Sequence, residues 1–148
     1  MEPATSIAKS ASRLALVGAA ALGFIGVAGG AFGAHVLKTH ISPELLSAFE
    51  TGARYAQLHT PALLAVGLWD RAWPTPGLRR VTILFLRGVA LFTGSLWAMA
   101  LTGVTRLGIV TPLGGLCFLT GWALLGRAAW RLGSGPAIRP DGPAPGNS

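Results

Sequence analysis

Charged side chains are scarce in this chain. Only 11% of its 148 residues are Asp, Glu, Lys or Arg, against roughly 25% in an average soluble domain. A soluble domain of this size exposes much of its surface and needs charge to cover it. The scarcity of charge, with a hydrophobic content of 51%, therefore excludes most soluble folds and, for the bulk of the chain, disorder.

Cysteine and acidic residues are rarer still. One cysteine excludes an intramolecular disulfide framework and a cysteine-rich zinc site. Five acids against twelve Lys and Arg leave a net charge of +7. No basic stripe with interleaved aromatic residues accompanies that charge, which argues against nucleic-acid binding. Paired carboxylates, a Ser-His-Asp set and a metal-ligand cluster are also missing, so we predict no enzyme, no cofactor and no metal site.

Long uncharged runs are what the sequence has in place of charge. A helix that crosses a ~30 Å hydrocarbon core needs about 20 largely apolar residues. The second run, residues 55–69, is long enough if its helix begins near Pro43. The third, residues 88–105, is long enough if the Arg87 side chain extends to the lipid headgroups. The sequence thus predicts an all-α fold, an integral membrane bundle of four transmembrane helices with a short interfacial helical segment after the first span. The runs are residues 14–37, 55–69, 88–105 and 107–126.

These runs divide the chain into three segments. We expect a cytoplasmic N-terminal segment at 1–13, a transmembrane domain at 14–131, and a disordered cytoplasmic tail rich in Pro and Gly at 132–148. A cleaved signal peptide is the alternative for the first run, because Lys9 and Arg13 precede it. The length of the run and the three hydrophobic segments that follow favour a transmembrane helix.

Lysine and arginine are distributed unevenly over the two sides of such a bundle. Of the twelve, only Lys38, Arg54 and Arg106 fall on the side away from the termini. Because the more basic side stays in the cytoplasm, we expect both termini to be cytoplasmic. The positive charge then reflects topology and contact with anionic lipids of the bilayer.

The first helix is dense in glycine. Gly26, Gly29, Gly30 and Gly33 form small-xxx-small pairs, which let helix backbones approach closely in lipid. We predict that they pack against the other helices of the bundle, and the alternative is a seam between copies in a homo-oligomer. They do not form a phosphate loop, since no Gly-Lys-Ser/Thr follows.

A polar cluster is predicted near the outer interface. His35, Glu50, Arg54, Tyr55 and His59 can all reach one level there if the second helix is continuous. The i, i+4 spacing predicts a Glu50–Arg54 ion pair, and His35 and His59 would meet between the first two helices. Ionisable groups at membrane depth suggest a pathway or a ligand site. The structural alternative, which we favour, is a set of internally hydrogen-bonded polar groups.

Two helix starts and five tryptophans complete the pattern. Ser42-Pro43-Glu44 combines a capping side chain, proline at the first helical position and an acid in the first turn, and Thr111-Pro112 is similar.

Tryptophans concentrate at membrane interfaces, so all five are expected to anchor the protein in the lipid belt or to face lipid. They are Trp69, Trp73, Trp97, Trp122 and Trp130.

Short motifs connect these features to a known family. In the first half they are Gly30-Ala31-Phe32-Gly33-Ala34-His35, Ser42-Pro43-Glu44 and Phe49-Glu50-Thr51-Gly52-x-Arg54-Tyr55-x-x-x-His59. In the second half they are Gly94-Ser95-Leu96, Leu101-Thr102-Gly103, Ile109-x-Thr111-Pro112-x-Gly114-Gly115 and Gly121-Trp122. Over about residues 14–130 the chain resembles the family called domain of unknown function 423, which is similar to transmembrane protein 256. The resemblance implies a small four-helix membrane protein of the kind found in bacteria and mitochondria and implies no activity. We expect the protein in the bacterial cytoplasmic (inner) membrane.

The function predicted from the sequence is that of a small non-enzymatic membrane protein. It would serve as a scaffold, accessory or assembly subunit, with other membrane proteins or further copies of itself as partners. The alternative is a component of a small-solute or proton transporter or channel that acts as an oligomer. The acids favour the first function, because Glu44 and Glu50 lie outside the bundle and Asp70 at its inner edge, so none is placed where a proton relay needs one.

Overall fold

The computed structural model describes residues 3–133, with side chains from Ser12 to Leu132. Its elements are α1 (Pro3–His35), α2 (Pro43–Ala72), α3 (Leu78–Thr102) and α4 (Thr111–Gly133), with 3-10 turns at Leu37–Thr39 and Thr105–Val110. No strand occurs among the described residues, so the all-α prediction is confirmed. Residues 3–13 of the predicted N-terminal segment belong to α1. Of the predicted tail at 132–148, residues from 134 on lie outside the described residues.

The connections follow the local chemistry of the sequence. Ser42 caps α2, where its hydroxyl accepts a hydrogen bond from the backbone N–H of Leu45 at 3.4 Å. The Ser42 hydroxyl, and then the backbone N–H of Glu44, bond the Glu44 carboxylate and lower the pKa of that exposed group. Gly77 and Gly103 flank α3 with φ of 102° and 73°, a left-handed conformation that costs a side-chain-bearing residue free energy. The predicted start of α2 is confirmed.

Three described helical segments are long and apolar enough to cross a membrane on their own: Ser12–Thr39, Leu78–Thr102 and Thr105–Leu132. The second helix does not qualify by composition, because Gln57, His59 and Pro61 interrupt its apolar run. It is nevertheless part of the bundle, since α2 packs along α1 on one side and along α3 on the other. The four-helix architecture is therefore present, with a second helix whose His59 is buried and whose Gln57 donates to the Gly26 carbonyl of α1.

The helices form an antiparallel bundle with two apolar cores. The larger core lies towards the turn at 73–77, which we call the basic end, and includes Leu63, Val66 and Phe85. The smaller core, around Leu37 and Phe49, lies towards the connections at 36–42 and 103–110, which we call the opposite end. The helix α4 packs mainly on α3. Among the described residues no Cα atom of α4 comes within 8 Å of one in α2.

Candidate functional site

A histidine at the centre of the bundle is the most buried polar group of the predicted cluster. His59 is 1% exposed and points from α2 towards α3 and α4. Its ring stacks on Phe118 of α4 with centroids 3.8 Å apart, and Phe85 of α3 meets it edge-on at 5.3 Å. The imidazole is thus held between aromatic rings of two neighbouring helices.

Both ring nitrogens of His59 have hydrogen-bond partners. Nδ1 lies 2.8 Å from the Tyr55 carbonyl oxygen, which only accepts, so the hydrogen-bond pattern assigns the proton to Nδ1. Nε2 then accepts the indole N–H of Trp122 at 3.3 Å. A proton on Nε2 would face the indole N–H of Trp122, so two hydrogen-bond donors would meet without an acceptor. The geometry therefore favours one neutral tautomer whose hydrogen bonds are all internal.

Aromatic rings bridge the space that the backbones of α2 and α4 leave open. Tyr55 stacks on Phe92 at 4.3 Å and lies 5.8 Å from Phe118. Trp122 packs on Phe85 at 5.1 Å. We call this set the aromatic cluster; it consists of Tyr55, His59, Phe85, Phe92, Phe118 and Trp122. Since stacked aromatic pairs contribute about 0.5–1.5 kcal/mol each beyond burial, the cluster is a principal attachment of α4 to the bundle.

The predicted meeting of five polar residues at the opposite end does not form. Gly33 lies against Phe49, and Gly23 against Thr60, which fixes the register of α1 on α2. In that register His59 lies about 16 Å along the bundle from the level of His35. All ring and hydrogen-bond partners of His59 belong to α2, α3 and α4, so the two histidines share no site.

The remaining members of that predicted cluster stay at the surface. His35, Glu50 and Arg54 are exposed. The expected Glu50–Arg54 ion pair is absent from the described structure, because neither side chain has an ion-pair partner within 4.0 Å. The helix period turns Glu50 and Arg54 together to the outside while Tyr55 and His59 face the interior, so the spacing permits an ion pair that the described structure does not contain.

The four predicted packing glycines of α1 lie in the interface with α2 and α3. A Cβ added at Gly26 would come 2.9 Å from Cγ of Gln57, and one at Gly33 would come 3.1 Å from Cδ1 of Phe49. At Gly30 the nearest atom is Nε2 of Gln57, at 3.2 Å. At Gly29 a Cβ would overlap the indole ring of Trp97 from α3. The glycine face of α1 therefore lies inside one chain.

Side chains that donate to the backbone of another helix are the features that the sequence did not reveal. Gln57 donates to the Gly26 carbonyl at 2.8 Å, and Thr93 donates to the Gly52 carbonyl at 2.9 Å. Both carbonyls belong to glycines, whose missing side chain admits a donor. This coincidence of a glycine on one helix and a lone polar residue on the next is the sequence signal that points to such bonds.

Two tryptophans depart from the predicted lipid-facing role. Trp97 stacks on Phe49 with centroids 4.8 Å apart and donates to the Phe49 carbonyl at 2.9 Å. Trp122 is 46% exposed but uses its N–H on His59. The facing surfaces of α1 at Gly29 and of α2 at Gly52 leave room for an indole ring, which explains why the Trp97 side chain packs between these helices.

The acids and the thiol do not assemble into a metal site. Among residues 12–132 no three His, Cys, Asp or Glu side chains lie close enough together to hold an ion. Asp70 is buried at the end of α2, where its carboxylate accepts the backbone N–H of Thr75 at 3.4 Å. The Thr75 hydroxyl also accepts the indole N–H of Trp69 at 3.1 Å. Asp70 thus stabilises the turn between α2 and α3.

Comparison with known proteins identifies relatives over most of the chain. The family described as "Protein of unknown function (DUF423)" matches residues 29–115. The chain is 40% identical over 128 residues to the UPF0382 inner membrane protein YgdD of Escherichia coli (strain K12), which covers 82% of this chain and 92% of that protein. It is 38% identical over 96 residues to the UPF0382 membrane protein SSP2132 of Staphylococcus saprophyticus, covering 65% and 79%. No solved structure matches the chain significantly.

Proposed function

The chain belongs to the DUF423 family of membrane proteins, and on that premise we propose that it is a non-enzymatic accessory or assembly subunit. In this role it binds other membrane proteins through the outer faces of its bundle. We place it in the bacterial inner membrane, as the name of its Escherichia coli relative states for that protein.

The observation that carries this proposal is the closure of the polar interior. The two ring nitrogens of His59 are occupied by Tyr55 and Trp122, and the buried Thr93 hydroxyl donates to a backbone carbonyl. Gln57, an exposed residue of α2, donates to the Gly26 carbonyl of α1. No buried side-chain nitrogen or oxygen among the described residues lacks a hydrogen bond. A proton or solute pathway needs polar groups that can exchange partners, whereas these stabilise the packing of one helix on the next.

The surfaces we propose for a partner are the outer faces of α1 and α4, which carry more strongly exposed apolar side chains than the outer face of α2, where Leu58 is 58% exposed. Phe24 on α1 is 77% exposed, and Leu119 on α4 is 69% exposed. Within the described structure no Cα atom of α1 comes within 8 Å of one in α4, so each helix presents its own outer face. Lipid tails are as apolar as these side chains, so hydrophobicity does not favour a partner over lipid. The face that binds a partner is therefore the one that packs more closely on a partner helix than on lipid.

A photo-crosslinking experiment tests the proposal. A benzophenone-bearing amino acid is placed at Phe24 or at Leu119 in cells, and at Leu63 as the matched buried control, since Leu63 is 0% exposed. We expect Phe24 or Leu119 to give one adduct of constant mass with a different membrane protein, and Leu63 to give none. Adducts with lipid alone at both outer positions would contradict the proposal, and an adduct with a second copy of this chain would replace it by a homo-oligomer.

A further inference from the structure

A groove lies between α3 and α4 at the basic end of the bundle. Its volume is about 650 Å³. The register of the two helices is set by Gly121, whose added Cβ would meet Phe85 at 2.6 Å. Continuing that antiparallel register by six residues brings Arg79 level with Arg127. Arginines from the first turn of α3 and the last turns of α4 therefore face the same groove.

Four arginines line this groove, and no carboxylate neutralises them within the described structure. Arg79 and Arg80 come from α3, and Arg127 and Arg131 from α4. All four are exposed, and none makes an ion pair with a described residue. Of the three acids between 12 and 132, two lie at the far end of α2. The third, Asp70, is buried behind the groove wall, where it accepts the backbone N–H of the lining residue Thr75 and makes no ion pair with the arginines. Four like charges in one groove repel one another and favour a bound anion.

The groove also has an apolar wall. Ile83 lies one helical turn deeper than Arg79 and Arg80, and Leu124 lies nearly one turn deeper than Arg127. The arginines lie at the ends of two helical segments that are long and apolar enough to cross a membrane, and we expect charged side chains at such ends to reach the lipid headgroups. A free anion would use the charges alone, whereas a phospholipid uses the charges and the wall together.

We propose that this groove binds an anionic phospholipid. Its phosphate is held by the guanidinium groups of Arg79 and Arg127, which bind phosphate oxygens in a bidentate manner. The first part of its acyl chain packs on Ile83 and Leu124. Basic pockets between helices on the cytoplasmic side suit such headgroups. The inference rests on the groove alone and is independent of the proposed accessory role.

Titration of the purified full-length protein tests this site. Phosphatidylglycerol, phosphatidylcholine or inorganic phosphate is added to the protein in a nonionic detergent, and bound lipid is counted by native mass spectrometry. The test variant is Arg79→Gln/Arg127→Gln. The matched control is Arg54→Gln/Arg106→Gln, which removes two exposed arginines at the opposite end. Thermal midpoints in detergent establish that each variant is folded.

We expect the parent protein to prefer phosphatidylglycerol to phosphatidylcholine by roughly tenfold or more, because phosphatidylcholine adds a quaternary ammonium that the four arginines repel, whereas phosphatidylglycerol carries a net negative charge. The test variant loses that preference and the control keeps it. Equal binding of the two lipids by the parent protein would overturn the inference, and this comparison needs no variant to fold. Release of phosphatidylglycerol by millimolar inorganic phosphate would also overturn it, in favour of a site for a free anion.

Discussion

His59 illustrates how a single ionisable residue is accommodated inside an apolar bundle. Its ring contributes stacking on Phe118, and its two nitrogens complete a chain of bonds from Trp122 to the Tyr55 carbonyl. Each such hydrogen bond has a net worth of about 1 kcal/mol, but a buried donor or acceptor left without its partner costs more. Removal of His59 therefore lowers the free energy of unfolding, and this structural role requires no reaction of the imidazole.

Replacement of His59 by alanine should destabilise the protein by about 2–4 kcal/mol. The substitution leaves a cavity beside Phe118 and removes the acceptor of the Trp122 N–H. His35→Ala is the control, because His35 is exposed at the end of α1, and surface substitutions usually stay within about 0.5 kcal/mol. Unfolding in mixed micelles with increasing SDS measures both. Equal losses for the two histidines would contradict the buried position of His59.

The spacing of residues predicted part of this site. Tyr55 and His59 stand one turn apart, and their rings do share a face, with centroids 6.2 Å apart. Their partners Phe92 and Phe118 could not be predicted, because the face that a helix turns to each neighbour depends on the packing of all four helices. For the same reason the sequence analysis wrongly predicted that His35 lies beside His59, and it did not predict the hydrogen bond from Gln57 to the Gly26 carbonyl.

At the scale of helices, the interface of α1 with α2 and α3 depends on the absence of side chains. Gly29 lies under the Trp97 ring, and Gly52 lies under the same ring from the other helix, where an added Cβ would come 2.9 Å from the indole. The indole therefore fills space that two glycines provide and reaches the Phe49 carbonyl from there. Small residues and a large ring are complementary parts of one contact.

Gly29→Ala should destabilise the bundle by about 1–3 kcal/mol, because the methyl group displaces the Trp97 ring from a packed interface. Gly94→Ala in α3 is the matched control, since a Cβ at Gly94 meets nothing within 4 Å. That control should be neutral or slightly stabilising, as alanine favours a helix over glycine by up to about 1 kcal/mol. Thermal midpoints of the two variants in the same detergent provide the comparison. A Gly29 variant as stable as the Gly94 variant would mean that Gly29 does not pack on Trp97.

Composition alone identifies three of the helices as long and apolar enough to cross a membrane, whereas the prediction of the second span depended on a helix start near Pro43. The runs around α1, α3 and α4 are apolar enough by themselves. The helix α2 contains Gln57, His59 and Pro61, and hydrogen bonds of Gln57 to α1 and of His59 to α4 hold it in the bundle. A start at Pro43 was predicted from its capping residues, because capping is local chemistry that the sequence records directly.

At the scale of the whole molecule, the charges are separated along the bundle. Arg71, Arg79, Arg80 and Arg127 lie near the basic end, and Lys38 and Arg106 near the opposite end. Membrane insertion keeps the more basic loops in the cytoplasm. We therefore expect the turn at 73–77 to be cytoplasmic, together with the ends of α1 and α4 that lie beside it.

Cysteine labelling in intact cells tests this orientation. In a Cys117→Ser background, Pro76→Cys places a thiol in the exposed turn at the basic end, and Ser47→Cys places one on the exposed face of α2 at the opposite end. A membrane-impermeant maleimide should label Ser47→Cys and leave Pro76→Cys unlabelled until the cells are opened. The reverse pattern would show that the basic end faces outwards and would contradict the proposed topology.

Proton flux through the reconstituted protein tests the closed interior most directly. The parent protein, His59→Gln and empty vesicles are compared in liposomes that contain a pH-sensitive dye, under a proton gradient between about pH 5 and 8. Because the nitrogens of His59 are engaged by Tyr55 and Trp122, we expect the parent protein to carry no more flux than empty vesicles. A flux well above that of empty vesicles that disappears in His59→Gln would contradict the accessory role and support a proton pathway.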